Sequence, residues 1–123
     1  MNMLRNFLWV GLGGGMGAML RFLISVIFKS NAFPVYTMLI NITGSLCIGM
    51  IFAATLKNEH FPEYIKFFLA VGLCGGFTTF SAFSLENMLL IRSGNYFTSV
   101  IYILASVCAC IIATFAGFKL ING

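Results

Sequence analysis

The chain has 123 residues, of which 60% are hydrophobic and only 8% charged, with a formal net charge of +4. Soluble domains carry about 25% charged residues, so this chain lacks the polar coat of a water-soluble globule, and lipid is its natural solvent. Its basic residues are scattered near the ends of apolar stretches, the pattern of membrane anchoring, and are not clustered as nucleic-acid binding requires.

A membrane-crossing helix needs about 20 apolar residues. Four stretches meet that length and predict helices over 4–28, 35–56, 64–92 and 96–120. The third is predicted to be broken at 75–79. The connections, roughly Lys29–Pro34, Lys57–Glu63 and Arg92–Asn95, are too short for a separate domain. The expected fold is therefore all-α and integral to the membrane, with residues 1–123 as a single domain.

The first stretch follows Arg5 and could be mistaken for a signal peptide. It has no clear Ala-x-Ala site and runs on past Gly17 to Arg21, so a retained helix is expected. The run Gly13-Gly14-Gly15-Met16-Gly17-Ala18 fits the dinucleotide pattern G-x-G-x-x-A, which carries meaning only between a strand and a helix; no such unit fits here. Arg21 lies late in this helix. It can snorkel to the interface or draw anions into a vestibule.

The second stretch carries a polar stripe, Thr37, Asn41 and Ser45 at i, i+4 and i+8, with Gly44 on the same side. The Asn41 amide offers two donors. An interhelical hydrogen bond, worth on the order of 1 kcal/mol, is the competing reading.

The third stretch is the least ordinary. Gly75-Gly76 followed by Thr78-Thr79 lies mid-membrane. Adjacent glycines weaken a helix, and a broken helix at that depth is tolerated only where protein or a water-filled site covers the freed groups. Such breaks form ion sites in which carbonyls coordinate cations. A Gly-rich packing seam is the alternative. Beyond the break, Phe80 and Phe83 share one face, and Ser81 and Ser84 a neighbouring one. Ring edges carry partial positive charge and hydroxyls donate, so the four could form a wall that accepts an anion without a formal charge. The other reading has these phenylalanines facing lipid, as most of the 14 in the chain must. Glu86, late in this helix, is an intramembrane ionisable group and hence a functional candidate.

The fourth stretch repeats the i, i+4, i+8 spacing with Tyr102, Ser106 and Cys110, which could complete a lining. The four cysteines, Cys47, Cys74, Cys108 and Cys110, all lie in apolar runs without a C-x-x-C pair, and are read as packing residues, not a zinc site.

Four helices put both termini on one side, with Arg5, Lys57, Lys66 and Lys119; the other side carries Arg21, Lys29 and Arg92. Orientation follows the excess of Lys and Arg in short cytoplasmic loops. An excess of one predicts insertion both ways round, and hence an antiparallel homodimer. A thin bundle has little interior for a pathway, and oligomerisation is the expected remedy. Small-xxx-small pairs at Gly11/Gly15, Gly13/Gly17, Ser45/Gly49 and Gly72/Gly76 are the expected contact surfaces.

Three runs taken together resemble the Fluc (CrcB) fluoride channels: Gly14-Gly15-Met16-Gly17-Ala18-x-x-Arg21; Thr37-x-x-x-Asn41-x-x-Gly44; and Gly72-x-Cys74-Gly75-Gly76-x-Thr78-Thr79-Phe80-Ser81-x-Phe83-Ser84-x-Glu86. The third is the most specific, and the resemblance covers essentially the whole chain. It implies a dual-topology homodimer, multi-pass in the bacterial inner membrane, with two pores that passively export fluoride and so lower its toxicity in the cytoplasm. It implies Phe80 and Phe83 as pore aromatics and Asn41 as amide donor, with Ser81 and Ser84 beside the same path. Thr37 and Thr79 become secondary polar positions, Arg21 a vestibule residue and Glu86 a polar residue of the third helix. It also implies a structural sodium ion, not transported, held by the backbone carbonyls of Gly75 and Thr78 from each subunit. The chain departs from the family at Cys110, where members often carry serine; Ser106 could compensate. The implied partners are fluoride, membrane lipid and a second copy of the chain, with no nucleic acid.

Fluoride is small and strongly hydrated, so stripping its water requires replacement donors. Neutral donors hold it without trapping it, since conduction needs exit as well as entry. Two readings compete. A small proton-coupled multidrug exporter, also a four-helix dual-topology dimer, needs an embedded carboxylate, and Glu86 is the only candidate. A non-transporting assembly subunit explains the small-residue pairs but not the break beside Asn41. No nucleophile–base pair, metal cluster or carboxylate dyad points to an enzyme.

Overall fold

A computed structural model of the chain describes residues 2–28 and 34–123. The charge of Lys29 and most of the predicted connection Lys29–Pro34 lie outside the described residues. The described residues form helix α1 (Met3–Ile27), α2 (Val35–Lys57), α3 (63–77), α4 (Phe80–Arg92) and α5 (Tyr96–Asn122). Four spans are long and apolar enough to cross a membrane, with α3 and α4 together making the third, Glu63–Arg92. At 1.5 Å per residue, 25 residues of α1 reach about 37 Å, enough for a hydrocarbon core of about 30 Å. The outer surface is apolar: Phe7, Phe22, Phe97 and Phe115 are all more than two-thirds exposed.

Alternate spans run parallel. Along α1 and α3, the Trp9 ring lies 5.3 Å from Tyr64 and 5.6 Å from Phe68, centroid to centroid. One turn further on, Gly13 meets Phe68 and Gly72; Gly17 then meets Leu73 and Gly76. Along α2 and α5, Gly49 meets Thr114 and Phe118, Gly117 meets Leu46, and Lys57 Nζ donates to the Ile121 carbonyl at 2.7 Å. The Arg5 guanidinium sits 5.3 Å from the centre of the Tyr64 ring. Arg5, Lys57, Lys66 and Lys119 therefore gather at one end of the bundle.

The small-residue pairs serve the inside of the chain. A Cβ on Gly13 would strike the Phe68 carbonyl, and one on Gly17 the Leu73 carbonyl. On Gly72 it would lie 2.8 Å from the Val10 carbonyl, and on Gly76 it would strike Gly14. Backbone meets backbone along this α1–α3 seam, which only hydrogen-sized side chains permit. The expectation that these pairs supply contacts between subunits is corrected for Gly13/Gly17 and Gly72/Gly76. Gly49 of the Ser45/Gly49 pair likewise packs on α5. Gly11 and Gly15 face outward with nothing within 4 Å.

The break is narrower than the predicted 75–79. Gly75–Phe77 remains α-helical, preceded by a π-wound stretch, Phe67–Cys74. Only Thr78 (φ −80°, ψ 156°) and Thr79 (φ −151°, ψ 118°) are extended. Gly76 stays helical packed against Gly14 of α1, whereas β-branched threonines suit extended backbone. Thr79 then caps α4: its hydroxyl accepts from the Ala82 N–H at 3.1 Å. At the far end, Gly94 takes φ +82°, and the Asn95 N–H reaches back to the Leu90 carbonyl at 2.8 Å, closing α4 before α5 begins.

Candidate functional site

Two extended residues inside a span strand the carbonyls before them, because the N–H groups four residues on are diverted. The Thr79 N–H, which would have gone to Gly75, donates to Asn41 Oδ1 at 2.8 Å. Asn41 Nδ2 returns the bond to the Thr79 carbonyl at 3.1 Å. The Asn41 side chain thus pairs with the Thr79 backbone as a neighbouring strand would. Arg21 Nε donates to the Gly76 carbonyl at 3.3 Å. The Cys74 carbonyl accepts both the N–H and the hydroxyl of Thr78, at 3.0 and 2.8 Å. Among the described residues, no hydrogen bond reaches the carbonyls of Gly75, Phe77 or Thr78. Unpaired backbone in hydrocarbon costs several kcal/mol per group, by order of magnitude, so these oxygens call for a partner.

Beside the break lies an open cleft of about 360 Å³. Asn41, Gly44 and Ser45 line it from α2, Cys74 and Gly75 from α3, and Thr78 and Thr79 from the break itself. Phe80 and Phe83 enter from α4, and Ser106 and Cys110 from α5. The Ser106 hydroxyl is buried and has no hydrogen-bond partner among the described residues. Ser106 contributes to the lining, while its hydroxyl oxygen is itself covered in the single chain. The Phe80 ring is 75% exposed and the Phe83 ring 8%. The two centroids are 5.4 Å apart, and Phe83 meets Tyr102 edge to face at 5.0 Å.

Several predicted positions point elsewhere. Thr37 and Tyr102 are fully buried and turn to Glu86: Thr37 Oγ1 donates to Oε2 at 2.9 Å, and Tyr102 OH to Oε1 at 3.1 Å. They hold a carboxylate from the first turn of α2 and from α5, and do not line the cleft. Ser81 and Ser84 are exposed and also lie off its wall; Ser81 Oγ sits 3.1 Å from Thr79 Oγ1. Arg21, half-buried, covers a carbonyl at the break, about six residues or 9 Å beyond the middle of α1.

Sequence reasoning missed the buried pair Asn87 and Ser99. Asn87 Nδ2 donates to the Phe83 carbonyl at 2.9 Å, and Ser99 Oγ donates to Asn87 Oδ1 at 2.9 Å. The available signal was an amide within an apolar span, and a serine three residues before Tyr102 on the same face. Among the described residues, no three His, Cys, Asp or Glu side chains gather as a metal site would require.

Similarity to known proteins agrees with this geometry. Residues 8–118 match the family described as CrcB-like protein, Camphor Resistance (CrcB). A protein of Azobacteroides pseudotrichonymphae named Fluoride-specific ion channel FluC is 42% identical over 121 residues, 96% of this chain and 97% of the relative. Proteins of the same name from Flavobacterium psychrophilum and Francisella tularensis are 40% and 43% identical, each covering 93% or more of both chains. The chain belongs to the CrcB-like family.

Proposed function

We propose that this chain is a fluoride-selective channel, multi-pass in the bacterial inner membrane, that lets fluoride leave the cytoplasm passively. The observation that carries this reading is the cleft beside the break, lined by Asn41, Phe80, Phe83 and Ser106 without any formal positive charge on the wall. Relatives over 93% or more of the chain bear the name of fluoride channels. Phe80 and Phe83 offer ring edges. Ser106 and the N–H of Asn41 not used on Thr79 replace the water that fluoride sheds. Transport, not catalysis, is the activity.

The cleft is open to the outside on the single chain, which leaves the path only partly walled. A second copy inserted in the opposite sense closes it and gives two equivalent paths. Charge supports this pairing: four cations stand at one end of the bundle against three assigned to the other by sequence, too small a bias to fix one orientation. Ser81 and Ser84, exposed on the single chain, fit a position facing the partner.

The carbonyls of Gly75 and Thr78 fit a structural sodium ion. Both are oxygen donors without a hydrogen-bond partner among the described residues, and Gly75 is exposed. Hard cations take such ligands, and two chains would supply four. The ion would neutralise stranded dipoles and fasten the two breaks together.

The test is fluoride efflux from liposomes containing the full chain, read with a fluoride electrode in sodium buffer. Efflux well above that of empty vesicles is expected; a rate equal to empty vesicles removes the channel reading. The exporter reading depends on Glu86 as a proton carrier, and Thr37 and Tyr102 occupy both of its oxygens.

A further inference from the structure

Helix α4 carries Phe80 and Phe83 but is lightly held. Its start hangs from the break, and it packs chiefly on α5. What fixes its position along α5 is therefore what aims the two rings. Three contacts rise between these antiparallel helices in order. Ser99 bonds Asn87, Tyr102 bonds Glu86, and the Tyr102 ring meets Phe83. Continued one step further, the same register puts Ser106 opposite Thr79 and Phe80, and all three line the cleft.

The first rung is a polar bond buried at both ends. Asn87 is 6% exposed and Ser99 2%. Asn87 reaches in two directions at once, to the Phe83 carbonyl on its own helix and to Ser99 on α5, both at 2.9 Å. A slide or rotation of α4 would leave Asn87 Oδ1 and the Ser99 hydroxyl buried and unpaired, a desolvation penalty, while the Asn87–Phe83 bond within α4 would persist. Apolar neighbours impose no such penalty, since one methyl contact replaces another as helices slide. Phe83 lies one turn up the same rigid helix from Asn87, lines the cleft and meets Tyr102 of α5, so its place follows the register set at Asn87.

We propose that Asn87 and Ser99 are positioning residues. Their buried hydrogen bond sets the register of α4 on α5, which aims the Phe83 ring and holds Ser106 opposite the break. The inference rests on the fluoride-channel reading for its flux consequence, though not for its structural one. Neither residue touches the cleft.

The test compares Ser99→Thr with Ser99→Val in the full chain, two side chains of the same shape that differ in the hydroxyl. Fluoride efflux is measured from liposomes. In parallel, 4-fluorophenylalanine placed at position 83 reports the ring environment by ¹⁹F resonance. Ser99→Thr is expected to match the unmodified protein in both readings. Ser99→Val is expected to slow efflux roughly tenfold and to shift or broaden the ring resonance. Ser99→Cys, a smaller change with a weak donor, reports in the same direction where Ser99→Val yields no folded protein. Equal efflux and an unmoved resonance in the variants lacking a good donor overturn the proposal, as does a Ser99→Thr protein impaired like Ser99→Val. Should the unmodified protein carry no fluoride, the channel reading fails, while the ring resonance still decides the register claim.

Discussion

Asn41 and Thr79 exchange two hydrogen bonds across the gap between α2 and the broken span: the Thr79 N–H donates to Oδ1 at 2.8 Å, and Nδ2 donates to the Thr79 carbonyl at 3.1 Å. One side chain thereby holds the extended residue on which α4 starts. Asn41→Leu removes both bonds, and Asn41→Asp keeps the acceptor but sets a carboxylate against the Thr79 carbonyl. Both are expected to lose about 1–3 kcal/mol, read as a lower melting temperature in detergent, with fluoride efflux falling in step. Full stability in Asn41→Leu would show that the break holds itself open.

At Gly13, Gly17, Gly72 and Gly76 the α1–α3 seam leaves no room for a side chain. A methyl group at Gly17 or Gly76 would strike main-chain atoms of the facing helix, and backbone cannot swing aside as a flexible side chain can. Gly17→Ala and Gly76→Ala are expected to cost roughly 1–3 kcal/mol or more and to lower the yield of monodisperse protein. Gly11→Ala and Gly15→Ala, with open space around them, are expected to behave as the unmodified chain in the same chromatographic assay.

Phe80 separates conduction from folding. Its ring is 75% exposed, so Phe80→Ile removes little packing within the chain. Fluoride efflux is expected to fall at least tenfold while the melting temperature stays within the range of a surface change, about 0.5 kcal/mol. Unchanged efflux would remove the ring-edge role at this position.

The Glu86 carboxylate accepts one hydroxyl on each oxygen. Thr37→Val and Tyr102→Phe each leave a part-buried oxygen without its donor and are expected to cost about 1.5–3 kcal/mol. Glu86→Gln should cost less than either, because both hydroxyls can rotate, one donating to the new carbonyl and the other accepting from the new amide. Thermal unfolding of the three variants checks the order. A Glu86→Gln protein less stable than Tyr102→Phe would contradict it.

Sodium is expected to matter to assembly more than to the single chain. Exchange into buffer with a large organic cation should leave the carbonyls of Gly75 and Thr78 unserved and lower both dimer content and efflux. Light scattering and the electrode assay read the two effects, and indifference of both to sodium removes the proposed ion.

Four membrane-crossing spans were legible in the sequence because hydrocarbon leaves a backbone few choices: 20 or more apolar residues must become helix. The break was legible too, since Gly75-Gly76 and Thr78-Thr79 are weak helix formers placed where a helix ought to be strongest. The polar stripe was only half readable. Spacing puts Thr37, Asn41 and Ser45 on one face, as it does Tyr102, Ser106 and Cys110, but period alone does not say what each residue meets. The bundle turns the outer members, Thr37 and Tyr102, to Glu86 and leaves Asn41, Ser45, Ser106 and Cys110 on the cleft.

Tertiary packing decided the rest. Small residues at four-residue spacing look the same whether they serve a neighbour within the chain or a second copy, and only the parallel crossing of α1 and α3 assigns Gly13, Gly17, Gly72 and Gly76 to the inside. That packing also holds Gly76 against Gly14, and the extended backbone falls on the threonines. The Asn87–Ser99 bond joins residues on two helices, so local sequence marks each as a polar residue in an apolar span but not their pairing. Composition and period determine what each segment must be in lipid; which of its faces meets which neighbour is a property of the assembled bundle, because side-chain partners are chosen across helices and not along them.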